Sequence, residues 1–99
     1  MKRIILVISL LVMGQASLAA EQATITSYNR SCIACHSSGV AGAPRAFNAD
    51  DWAPRLAKGM PTLLQNTVNG VNAMPAKGLC PTCSEDDFAA LIHYMSTPK

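Results

Sequence analysis

The stretch SCIACHSSGVAGAP, residues 31–44, sets two cysteines two residues apart, Cys32 and Cys35, with His36 directly after the second. Cysteine pairs at this spacing bind zinc, exchange disulfides, close a small structural loop or hold a haem through covalent bonds. The choice among these chemistries decides what the rest of the chain has to build.

The flanking sequence narrows compartment and size. Lys2 and Arg3 precede an apolar run from Ile4 to Met13 interrupted by Ser9, and Ala16, Ser17, Leu18, Ala19 and Ala20 follow. A basic start, a short apolar core and small residues before a cut make up a secretory signal peptide. The apolar core is about half of the roughly 20 residues that a membrane-spanning helix needs. Residues 1–20 therefore read as a signal peptide cut after Ala19 or Ala20, with an uncleaved N-terminal anchor as the alternative. Residues 21–99 are then a single domain exported to a bacterial periplasm, where free thiols tend to oxidise or to be capped by chemistry. From residue 21 on, Arg30, Arg45, Arg55, Lys58, Lys77 and Lys99 balance Glu21, Asp50, Asp51, Glu85, Asp86 and Asp87. No basic stripe is present and aromatic residues are few, so nothing points to nucleic acid. A domain of this size struggles to build a sufficient apolar core, and a cofactor or disulfide is expected to help.

Helical signals dominate, with no sustained period-2 alternation. Residues 22–35 form a first helix leading into the cysteine pair, its start blurred by Thr and Ser. Residues 37–49, rich in Gly and Ala, read as a loop. Asp50 or Asp51 caps a short helix through WAPRLAK, with Pro54 in its first turn and Gly59 at its end. Pro61 starts another helix, TLLQNTVN, closed by Gly70, and residues 71–83 are a second long loop. Ser84 and Asp87 resemble a capping box, after which Phe88, Leu91, Ile92 and Met95 recur at i, i+3, i+4 and i+7. The expectation is an all-α domain of three to five short helices with something further filling its middle.

Zinc would need Cys32 and Cys35 to join Cys80 and Cys83 across 44 residues, against about 15 to 20 in a typical ribbon, and it gives His36 no role. A thioredoxin-like pair would follow a strand, and none precedes residue 32. A plain Cys32–Cys35 disulfide also leaves His36 unexplained. Covalent attachment of a c-type haem uses every residue: thioethers at Cys32 and Cys35, and His36 as an axial ligand to the iron. The haem also fills the core.

The sixth ligand separates an electron carrier from a haem enzyme or gas sensor with a labile sixth position. Met60, Met74, Met95 and His93 are the candidates. Met95 falls on the apolar face of the last helix and His93 on its far, solvated face. Met60 lies in a tight link between helices. Met74 lies in the long loop NGVNAMPAKGLC, where free backbone brings sulfur to iron, and is the expected ligand. Cys80 and Cys83 are either redox-active or joined in a small structural disulfide.

SCIACH, AGAP, WAPRLAKGM, NAMPAKG and CPTCS before an apolar helix resemble, in that order, the cytochrome c5 family of class I c-type cytochromes. The likeness spans nearly all of residues 21–99. It implies short helices around one haem c, with the N- and C-terminal helices crossing, and axial ligands His36 and Met74. It further implies that the Pro44 carbonyl accepts a hydrogen bond from the other His36 nitrogen, and that Cys80 and Cys83 form a disulfide. The implied function is single-electron transfer between protein partners, a reductase and an oxidase, in the periplasm or at the membrane surface. Val40, Ala41, Ala43, Pro75 and Ala76 are expected to form an apolar rim where partners dock. Trp52 is expected in the core, and Tyr28 and Tyr94 have no assigned role.

Overall fold

The protein is described by a computed structural model over residues 8–99, with side chains described from residue 17 onward. Lys2, Arg3 and the start of the expected signal lie outside the described residues.

Helix α1, Ile8–Ser27, runs into a π-helical stretch, Tyr28–Cys32, and then into α2, Ile33–His36. This first helix begins well before residue 22 and passes through both expected cleavage sites, unlike the expectation. Thr24 and Thr26 do not blur it, because their hydroxyls donate back to the carbonyls of Ala20 and Gln22 one turn earlier, at 3.1 and 2.9 Å. No helix of the described residues is long and apolar enough to cross a membrane.

Helix α3, Ala49–Leu56, is capped by Asn48, whose Oδ1 accepts the Asp51 N–H at 3.0 Å. Asp50 and Asp51 therefore are not the cap; they occupy the first turn, where negative charge suits the helix dipole. Pro54 sits one turn later than expected, and the helix continues only two residues beyond it. Helix α4, Met60–Asn69, begins after Gly59 and has Pro61 in its first turn. Helix α5, Glu85–Ser96, carries the expected capping box: the Asp87 N–H donates to Ser84 Oγ at 3.2 Å and the Ser84 N–H to Asp87 Oδ2 at 2.8 Å.

Helix α5 packs against α1 and α4, and α4 against a 3-10 turn at Ala76–Leu79. The four α5 residues at helical spacing, Phe88, Leu91, Ile92 and Met95, are all buried, together with Tyr28, Trp52, Leu63 and Cys80. Six of these eight, Trp52, Leu63 and the four from α5, also face a cavity of about 300 Å³. The apolar core is thus a shell around a cavity rather than a filled interior. Tyr28 and Tyr94 belong to this packing but do not line the cavity: their rings meet edge to face at 5.3 Å, with Phe47 at 6.0 and 5.1 Å.

Candidate functional site

The cavity brings together Cys32, Cys35, His36, Pro44 and Met74 from segments far apart in sequence. His36 is buried at the end of α2. Its Nδ1 lies 2.7 Å from the Pro44 carbonyl oxygen. A carbonyl only accepts, so Nδ1 carries the proton and Nε2 keeps its lone pair for a metal. The ring stacks on Trp52, centroids 5.9 Å apart and planes at 22°.

Helix α3 fastens the segment that carries Pro44. The Trp52 indole N–H donates to the Arg45 carbonyl at 3.0 Å, so Trp52 belongs to the core and its N–H is spoken for. Arg55 donates to the carbonyls of Asp51 and Gly42, at 2.6 and 3.1 Å. Arg45 grips Asp51 through Nε and Nη2, at 2.8 and 3.2 Å, and the Ala46 N–H returns to the His36 carbonyl at 2.6 Å. The Arg45 guanidinium holds the Asp51 carboxyl down at about 2.

Met74 is set by its own loop. Val71 and Met74 exchange both backbone hydrogen bonds, at 3.1 and 2.8 Å. Gly70, at φ +87°, lets this loop close on the end of α4: a Cβ there would come within 3.0 Å of the Met74 carbonyl oxygen. Met60 packs against the core from the first turn of α4 and does not line the cavity. His93 is exposed. Met95 belongs to the core and reaches the cavity from α5. Cys80 and Cys83 are bonded to each other, with Cα atoms 5.5 Å apart, so they are not partners of Cys32 and Cys35.

Burial pushes the Cys32 thiol up to about 11. An activated disulfide-exchange cysteine needs the thiolate, and burial favours the thiol at Cys32 instead. The cavity walls are mostly apolar, and the charged residues lining it, Arg55, Lys58 and Lys77, are all cationic. Apolar walls, two free thiols, a histidine with its Nε2 lone pair available and a thioether fit a flat apolar macrocycle with an iron centre and carboxylate tails. Sequence reading missed Arg55, which stands one turn after Trp52 on α3. That i, i+3 spacing places both on one face, against the Gly42–Ala46 segment.

Residues 19–95 match the family model described as cytochrome c oxidase, cbb3-type, subunit III. Cytochrome c5 of Azotobacter vinelandii is 43% identical over 67 residues, covering 66% of this chain and 81% of that protein. The chain belongs to the class I c-type cytochromes. A solved mono-haem ferrocytochrome c from Shewanella putrefaciens resembles this cytochrome at 47% identity and a TM-score of 0.67, over 77% of this chain and 94% of that one. A cytochrome c solved in an electron-transfer complex with nitrite reductase resembles it at 38% identity and a TM-score of 0.67, over 75% of this chain and 90% of the other. The cytochrome has one covalently bound haem c and serves as an electron carrier, not an enzyme.

Proposed function

We propose that Cys32 and Cys35 hold the haem as thioethers, that His36 Nε2 and the Met74 sulfur are its axial ligands, and that the cytochrome carries single electrons between proteins of a bacterial periplasm. The observation that carries the reading is the joint placement of all four side chains on one cavity, with the His36 tautomer set by Pro44.

When bound, the haem supplies a one-electron Fe(III)/Fe(II) couple. The Pro44 carbonyl fixes the His36 ring and makes Nε2 a stronger donor. Met74 is a soft ligand that favours ferrous iron and raises the potential. The stack on Trp52 and the Arg45, Asp51 and Arg55 bonds restrain the histidine side, so little needs to move as an electron passes. Arg55, Lys58 and Lys77 line the cavity and would offset the negative charge of the haem's carboxylate tails. Partners dock at an apolar rim: Val40, Ala41, Ala43 and Pro75 line the cavity, whereas Ala76 is exposed outside the lining. A small rim suits the short-lived complexes of electron carriers, and the relative bound to nitrite reductase gives one kind of partner. Residues 1–20 are the export signal and residues 21–99 the functional domain.

Met74→Ala beside Met60→Ala tests the ligand set. Met74→Ala should abolish the sulfur–iron charge-transfer band, lower the potential and open the ferrous protein to carbon monoxide, with Met60→Ala unchanged in all three. The opposite pattern would move the ligand to Met60. Carbon monoxide binding by the unsubstituted ferrous protein at neutral pH would favour a labile-ligand sensor or enzyme.

A further inference from the structure

Ser31 precedes Cys32 directly and is only 6% exposed, one of two buried residues in the π-helical stretch. Its hydroxyl donates to the carbonyl of Leu79 at 3.1 Å, 48 residues along the chain. Leu79 closes a run with Lys77 and Gly78 at φ of +65°, +63° and +53°, a region in which only glycine is at ease. The run is built against Met74: a Cβ at Gly78 would come within 3.0 Å of the Met74 methyl. Where the run lies therefore decides where the thioether lies. Its backbone bonds, Gly78 N–H to Pro75 and Cys80 N–H to Lys77 at 3.0 and 2.9 Å, stay within the loop. Among the described residues, the Ser31 bond is the hydrogen bond that joins residues 74–80 to the segment 28–36.

We propose that Ser31 is a positioning residue for the sixth ligand: its hydroxyl ties the left-handed run to the haem-attachment segment and so holds the Met74 sulfur in place. This rests on the assignment of Met74 above. An ordinary core serine would affect folding stability alone; Ser31 acts on the hold that the Met74 loop has on the iron.

The test uses the ferric holoprotein titrated with imidazole, which competes with the thioether, and amide hydrogen exchange at Gly78 and Cys80. Ser31→Ala should bind imidazole about fivefold more tightly, the worth of one hydrogen bond, and should exchange both amides faster. Ser31→Thr, which keeps the hydroxyl, should restore both readouts. Asn48→Ala removes the α3 cap and should lower stability while leaving imidazole affinity and the two amides unmoved. Unchanged imidazole affinity and exchange in Ser31→Ala would overturn the proposal, as would an equal shift in Asn48→Ala. If the unsubstituted holoprotein lacks the sulfur–iron band, the Met74 assignment falls; faster exchange in Ser31→Ala would then still show that Ser31 anchors the loop.

Discussion

At His36 the deciding contact is a carbonyl that cannot donate. Pro44 thereby fixes the protonated nitrogen and the ring orientation, and leaves Nε2 with the free lone pair. Two turns of chemistry away, Asp51 acts on the same segment through Arg45. Its carboxyl is held at about 2 against an ordinary 3.8, so its stabilising contribution is complete above the ordinary value and is lost as pH falls toward 2. Asp51→Asn should therefore flatten the loss of stability between about pH 5 and pH 2. Urea midpoints measured across that range check this, and parallel curves for the two proteins would contradict it. That Cys32, Cys35, His36 and Met74 meet on one cavity was legible, because the proposed haem asks for all four at once. Asp51 and Arg55 were not, since their roles depend on a fold that brings α3 beside Gly42 and Arg45.

Helix α5 shows how much an element declares about itself. Its cap, its acidic first turn and its four buried residues were all readable, because each is a local rule applied within about a dozen residues. Ser84→Ala should cost about 1 kcal/mol, read as a lowered thermal midpoint of the holoprotein, with no change in its visible spectrum. A shifted spectrum would mean that α5 positions the haem through its first turn. Helix α1 was less legible: Thr24 and Thr26 look like weak starts until their back-bonds to the preceding turn are seen. The Asn48 cap was hidden by two aspartates that suit the same end of a helix. The run Lys77–Leu79 leaves no sequence signal beyond Gly78, because left-handed residues other than glycine cost about 1–2 kcal/mol each and persist only where the surroundings impose them.

For the whole molecule, the core tells what the composition foreshadowed. A chain of this size, short of apolar core, arranges six of the eight buried core side chains among its described residues around one cavity. The Cys80–Cys83 bond closes so short a loop that chain entropy accounts for only about 2 kcal/mol; its larger effect is to end the Met74 loop at the cap of α5. Side-chain charges from residue 21 onward balance, so partners are steered only weakly over distance. Electron transfer to an electron-accepting protein should depend weakly on ionic strength, and a steep fall in rate with added salt would replace the apolar rim with a charged docking surface. Fold class and cofactor were legible at this scale because a haem is what reconciles one CxxCH stretch with a thin helical core. The packing of the tyrosines with Phe47 was not, because three isolated aromatic residues meet only after α1 and α5 do.

Covalent haem on Cys32 and Cys35 can be read from intact mass after expression with haem-attachment machinery. The expected product is a coloured protein one haem heavier than the polypeptide, with the added mass surviving acidic acetone. A colourless product of polypeptide mass, or a haem that acid acetone removes, would contradict it.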